Sequence, residues 1–173
     1  MLSWERRVTD HTDPAPPLDV DRLVATFARH DVDFVVIGGI AVLAHGHPRT
    51  TFDVDFVADL GADNMARLAS ALRELGARVR GVDGDLLDVD PTDPQQLASG
   101  ANWTLVTDAG WVDFMPAAKG ARSYPEIAAA SVSVRDGAFC VAGLDDLIRM
   151  KRASGRAKDL DDIAALTHRA HGS

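Results

Sequence analysis

The apolar positions of this chain change period repeatedly, and each change marks an element. Val20, Leu23, Val24 and Phe27 recur at helical spacing, so a first helix follows the opening segment. The run DFVVIGG is short, rich in β-branched residues and closed by two glycines, which predicts a buried strand running into a tight turn. IAVLAHG then reads as a short helix and HGHPRTT as a turn. In FDVDFVAD acidic and apolar residues alternate with period two. This strand should turn Val54, with Phe52 and Phe56, toward the core and its acids away from it. Helix returns over GADNMARLASALRELG. Residues 77 to 97 are rich in Gly, Asp and Pro, with strand-like pieces at RVRGV and LLDV that do not define an element.

Two further strands follow, NWTLVTDA and GWVDFMP, joined by a turn at Asp108, Ala109 and Gly110, which leaves Asp113 mid-strand. SYPEIAAA is a brief helix. SVSV and AFCVA are short strands around the Asp136–Gly137 turn, and LDDLIRMKRA and KDLDDIAALTHRA form two closing helices. Strands and helices thus intermix, which predicts an α/β (α+β) fold: a mixed β-sheet flanked by helices. Residues 1–17, polar and proline-rich, are expected to form a flexible arm. Residues 18–173 then make one domain that includes a C-terminal helical segment, 143–171. No internal repeat is present.

Composition narrows the class of molecule. A chain of 173 residues with 46% hydrophobic content suits one compact domain, and two would be crowded. No apolar run approaches the roughly 18 to 20 positions of a membrane helix. The opening residues carry charges and prolines where an export signal needs an apolar core, so a soluble, cytoplasmic protein is expected, with no membrane partner. Cys140 is the one cysteine, which excludes an internal disulfide and a multi-cysteine zinc site; its setting, AFCVAG, reads as buried strand. The formal charge of −8 argues against a protein that coats nucleic acid. One local exception is the acid-free run holding Arg149, Lys151, Arg152, Arg156 and Lys158. It is flanked by Asp145, Asp146, Asp159, Asp161 and Asp162, and makes a candidate anion site.

The candidate chemistry falls in three places. Asp53 and Asp55 project from one side of their strand, about 7 Å apart along the chain. Two carboxylates this close repel each other unless a cation neutralises them, and hard oxygen donors select magnesium or manganese over zinc. The plain alternative is the wet face of an edge strand. Gly38 and Gly39 stand where a strand meets a helix, and backbone amides can approach an anion there. Many glycine pairs are only turns, and this one makes neither a G-x-x-x-x-G-K-[ST] loop nor a G-x-G-x-x-G fingerprint. Asp113 sits between large apolar residues in WVDFMP, and a buried acid needs a partner. His45 and His47, with Asp53 and Asp55, can also be drawn as a transition-metal site, although histidines in a turn are more often polar surface.

A strand closed by Gly-Gly, a short helix, D-x-D after thirteen intervening residues and a later lone acid in an apolar strand together resemble the DNA polymerase β-like nucleotidyltransferase superfamily. The pieces IGGIAVLAHGHPRTTFDVDFVAD, GWVDFMP and LDDLIRMKRASGRAKDLDDIAAL are most similar to its small bacterial branch of abortive-infection and toxin-type nucleotidyltransferases. The resemblance implies that Asp53, Asp55 and Asp113 hold Mg2+ or Mn2+, with Asp113 also helping to activate the attacking hydroxyl. It implies that Gly38 and Gly39 cradle the phosphates of a nucleoside triphosphate donor, that Lys151 reaches the triphosphate, and that Arg49 with Thr50 stands next in line. The plain alternatives are a solvated Lys151 and an Arg49 salt-bridged to Asp53 or Asp55. Lys158, Asp159 and Asp162 resemble the K-D-x-x-D helix of the toxin-type branch, where a structural role is favoured. The acceptor implied is an RNA end (transfer RNA among them), a protein hydroxyl or a small molecule of the antibiotic type. A toxin role would bring a cognate antitoxin, and a homodimer is left open. A different class of reading is a catalytically silent nucleotide-binding or antitoxin-like module. The presence of all three acids counts against it.

Overall fold

The computed structural model describes residues 16–170. The expected N-terminal arm therefore falls, up to residue 15, outside the described residues. Helix α1 (Val20–Arg29) buries Leu23, Val24 and Phe27, and the Asp19 carboxylate accepts from the Arg22 amide at 2.9 Å to cap its first turn. Strand β1 (Phe34–Ile37) runs directly into helix α2 (Gly38–Ala44). Strand β2 (Asp53–Ala58) and helix α3 (Ala62–Glu74) follow. After them come β3 (Arg78–Val79), α4 (Pro94–Leu97), β4 (Trp103–Thr107) and β5 (Gly110–Phe114). The chain continues through α5 (Tyr124–Ala129), β6 (Val132–Val134) and β7 (Phe139–Val141), and closes with α6 (Leu144–Ser154) and α7 (Ala157–Ala170).

The strands form one mixed sheet in the order β3-β4-β5-β2-β1-β7-β6. Strand β1 is antiparallel to β2 and parallel to β7, while β2 is parallel to β5. The expected mixed sheet flanked by helices is present. Among the described residues no helix is long and apolar enough to cross a membrane.

Period-two alternation gives the sheet two unlike faces. On one face Val54, Phe56, Leu105, Val112 and Phe114 pack against Leu23 and Phe27 of α1 and Leu68 and Leu72 of α3. Phe27, Phe34 and Phe56 meet edge to face there, and Phe56 stacks on Phe114 at 5.0 Å. On the other face Val35, Ile37 and Val57 pack beneath Ile127 of α5 and Met150 of α6. That cover ends at β2. At the matching positions of β5, β4 and β3, side chains from Asp113 to Arg78 are half-buried or exposed.

Three local expectations need correction. Phe52 does not face the core; it is 71% exposed, because β2 begins at Asp53 and the alternation does not extend back to it. Cys140 is half-buried rather than buried, since β7 lies beside the short edge strand β6. Within residues 77–97 the ordered pieces are the two-residue β3, a single bridge from Arg80 to Leu86, and α4.

Candidate active site

The site is built by the parallel pairing of β2 with β5. Asp55 stands opposite Asp113 and Asp53 opposite Trp111. Neighbouring strands lie about 4.8 Å apart, so carboxylates on one face at these positions must converge. One oxygen from each of Asp53, Asp55 and Asp113 lies within 4.8 Å of the others. The three acids that the sequence singled out are thus one cluster. His45 takes no part in it: its Nε2 is 2.8 Å from the Ala142 carbonyl, and the metal-capable group found among the described residues is made of aspartates alone.

The two glycines explain how β1 and β2 come so close here. Ile37 pairs with Asp55, and Gly38 follows with φ +63°, a left-handed conformation that side chains disfavour. A Cβ on Gly38 would collide with the Asp55 carboxylate. A Cβ on Gly39 would come within 3.0 Å of the Thr51 Cβ. Both positions are therefore closed to larger residues by the candidate site itself. The Gly39 amide donates to the Asp55 carboxylate, so this backbone group serves an acid of the cluster.

Charge is concentrated against this apolar wall. Burial, then the charges of Asp53 and Asp113, push the Asp55 carboxyl up to about 6 from an ordinary 3.8, against the opposing pull of Lys151 and the Gly39 amide. Burial also raises Asp113, helped by Asp53; a hydrogen bond from Thr104 and the charge of Arg80 oppose the rise. Thr51 Oγ1 donates toward Asp53 Oδ1 at 3.3 Å. Three hard oxygen donors with this much uncompensated charge fit a magnesium or manganese ion, and the absence of sulfur and imidazole donors disfavours zinc.

Beside the acids a cavity of about 350 Å³ opens between the β1–α2 junction and α6, with Gly38, Asp55, Asp113, Lys119, Lys151 and Arg156 on its wall. Lys151 is nearly buried, and its ammonium pairs with Asp159 at 2.9 Å and Asp162 at 2.8 Å. Asp162 also takes Arg49 at 2.5 Å, and Arg156 Nε meets Asp159 at 2.9 Å. Burial alone would raise the Asp159 carboxyl, but hydrogen bonds from Arg156, Lys151 and Ser154 outweigh it and hold the group well below the usual carboxylate range. The K-D-x-x-D acids accordingly brace α6, α7 and the loop before β2. Lys158 itself is exposed.

Other sequence candidates fall at varying distance from this centre. Arg49 is pinned to Asp162, not to Asp53 or Asp55 as the salt-bridge alternative had it. Thr50 is exposed, and its carbonyl accepts from Arg49 Nε at 3.4 Å. The neighbouring Thr51 is the threonine that touches both Gly39 and Asp53, from the segment before β2 that strand alternation does not reach. Lys119 and Asn102 also line the cavity, and no local pattern marked them.

No family model matches the sequence, and no curated protein matches it. Among solved structures, a crystal structure of ANT(2'')-Ia in complex with adenylyl-2''-tobramycin aligns with TM-score 0.56 and 14% identity over 86% of each chain. A solution structure of the antibiotic-resistance factor ANT(2'')-Ia aligns over 87% of this chain and 90% of that one, with 17% identity and TM-score 0.44. At these identities the likeness is one of architecture: the chain has a nucleotidyltransferase fold, with a carboxylate cluster able to hold a metal ion at the junction of its central strands.

Proposed function

We propose that this chain is a divalent-metal-dependent nucleotidyltransferase that moves a nucleoside monophosphate from a triphosphate donor to a hydroxyl acceptor. The observation that carries the reading is the convergence of Asp53, Asp55 and Asp113 within 4.8 Å beside a cavity that also presents Lys151 and Arg156. Asp53, Asp55 and Asp113 would hold Mg2+ or Mn2+, which when bound neutralises phosphate charge and lowers the pKa of a nearby hydroxyl. Asp113, raised by burial, accepts the acceptor proton. The freed oxygen attacks the α-phosphorus, the bond to the β-phosphate oxygen breaks, and pyrophosphate leaves.

The rest of the site aligns the donor. Two of the three Lys151 N–H bonds are directed by Asp159 and Asp162, which leaves one donor for a phosphate oxygen in the cavity. Arg156 adds a second cation on the same wall. Gly38 and Gly39 let the donor phosphates approach the backbone while keeping Asp55 in place. Arg49 and Thr50 act one step removed, by holding the loop that leads into β2.

For the acceptor, similarity in sequence pattern to the toxin-type branch favours an RNA or protein hydroxyl, with an antitoxin as regulator. The fold shared with the tobramycin-bound structure favours a small-molecule acceptor as the second reading. Incubation with each α-labelled nucleoside triphosphate, Mg2+ or Mn2+, RNA, lysate and aminoglycosides tests both. Label should move with intact acids and stay in the nucleotide with the Asp53→Ala, Asp55→Ala double variant. No transfer and no Mg2+-dependent nucleotide binding would leave a silent binding module in place of an enzyme.

A further inference from the structure

The cavity beside the acids has two chemically unlike stretches of wall. Gly38, Lys151 and Arg156 stand with Asp55 and Asp113 and suit metal and phosphate. Ile37, Met115, Ala118, Leu147 and Met150 add apolar surface that phosphate cannot use. Along α6, Leu147, Met150, Lys151 and Ser154 share one face, so the wall turns from apolar to polar over about 10 Å of helix. A nucleoside triphosphate is divided in the same way, and its base is the part that buries favourably against carbon.

Asn102 and Lys119 line this cavity and belong neither to the acidic cluster nor to the Lys151 network. The Ala117 amide donates to Asn102 Oδ1 at 3.4 Å, and because a backbone N–H can only donate, this bond fixes which end of the side chain is oxygen. The Asn102 NH2 group is left to donate into the cavity. Lys119 is exposed, and among the described residues it forms no ion pair. The acceptors nearby are engaged. Asp159 takes Lys151, Arg156 and Ser154, while Asp55 and Asp113 belong to the metal-capable cluster. The Met115 and Ala118 carbonyls accept the Ala118 and Ala121 amides within their own loop. Away from the acids, the cavity therefore offers a base two side-chain donors and no free carboxylate or amide oxygen.

We infer that the cavity selects its donor by the base, favouring triphosphates of guanine and uracil, which carry a ring carbonyl, over those of adenine and cytosine, which carry an amino group at the corresponding position. The inference rests on the nucleotidyltransferase reading and names the donor. Asn102 and Lys119 donate to the carbonyl oxygen of guanine or uracil. Against an adenine or cytosine amino group the same two side chains meet a third donor, and the hydrogen bonds are lost. A site built to hydrogen-bond one group rejects the analogue lacking it far better than an apolar pocket rejects a change in size.

The test titrates the full chain with the Mg2+ complexes of GTP, UTP, ATP, CTP and inosine triphosphate by calorimetry. GTP and UTP should bind at least about tenfold more tightly than ATP and CTP. Inosine triphosphate keeps the guanine carbonyl without the guanine amino group and should bind like GTP. Asn102→Asp retains an oxygen for the Ala117 amide and replaces the free donor by an acceptor, so the ratio of GTP to ATP affinity should fall at least about tenfold. The added negative charge weakens all triphosphates alike and leaves that ratio readable. Lys119→Ala, at an exposed position, should lower the same ratio about threefold, and it keeps the test sound if Asn102→Asp folds poorly. Equal affinity for all five, a preference for ATP or CTP, or a ratio unmoved by both substitutions overturns the assignment. An equal loss for every triphosphate in Lys119→Ala puts that lysine on the phosphates and overturns it as well. If no triphosphate binds in Mg2+, the nucleotidyltransferase reading itself fails, and the base assignment with it.

Discussion

At the scale of single residues, the sharpest constraint is at Gly38. Its left-handed φ and its contact with Asp55 can be separated by comparison with Gly155, which has nearly the same φ but no atom closer than Arg152 O at 3.8 Å. Gly155→Ala should cost about 1 kcal/mol of stability from the backbone alone. Gly38→Ala should cost more and abolish Mg2+-dependent nucleotide binding; equal effects in thermal and binding assays would show that contact with Asp55 is unimportant. Asp55 itself makes a pH prediction. Its folded pKa of about 6 lies above the ordinary 3.8, so its contribution to stability is fully present below about 3.8 and is lost as pH rises through about 6. The metal-free protein should therefore melt lower at pH 8 than at pH 5.5 through this group. Mg2+ should raise the melting temperature at pH 8 and much less at pH 5, and Asp55→Asn should flatten both trends. Strand alternation made Asp53 and Asp55 legible as a pair, but the pKa of Asp55 depends on Asp113 and Lys151, distant in sequence.

At the scale of elements, α6 and α7 meet the loop before β2 through the Arg49–Asp162–Lys151–Asp159 network. A buried ion pair broken on one side leaves an uncompensated charge, typically at about 3 to 5 kcal/mol. Asp162→Ala leaves Arg49 without its acid and Lys151 with Asp159 alone, and should destabilise the fold by about 3 kcal/mol in urea denaturation. A loss below about 1 kcal/mol would show that the brace is solvated and that α7 docks by its apolar face alone. Lys158, in the same K-D-x-x-D stretch, is exposed, and its replacement by Ala should change stability by less than about 0.5 kcal/mol. The helices were readable from periodicity. Their ion-pair partners were not, because Arg49 and Asp162 are brought together only when α7 folds back across α6.

At the scale of the whole molecule, a net charge of −8 and a triphosphate repel each other, and the cations on the cavity wall are partly neutralised by Asp159 and Asp162. Nucleotide binding should therefore depend on divalent metal. Chelation with EDTA should weaken ATP binding by at least about tenfold, as read by calorimetry. ATP binding that survives EDTA unchanged would point to a nucleotide site away from the acids.

By itself the sequence determined the elements outside residues 77–97 and their mixture, because hydrophobic periodicity and turn residues act over a few positions; β3 and α4 within that stretch were not legible. It also marked Asp53, Asp55, Asp113 and the glycine pair, since strand alternation and the Gly-Gly turn are local patterns. Only the tertiary structure decided that β5 lies parallel beside β2, which turns a D-x-D and a distant lone acid into one cluster. It alone directed Lys151 to Asp159 and Asp162, placed Thr51 rather than Thr50 against the acids, and set Asn102 and Lys119 on the cavity wall. Pairing order and side-chain partners are set by non-local packing, and short-range pattern carries no information about which strands become neighbours.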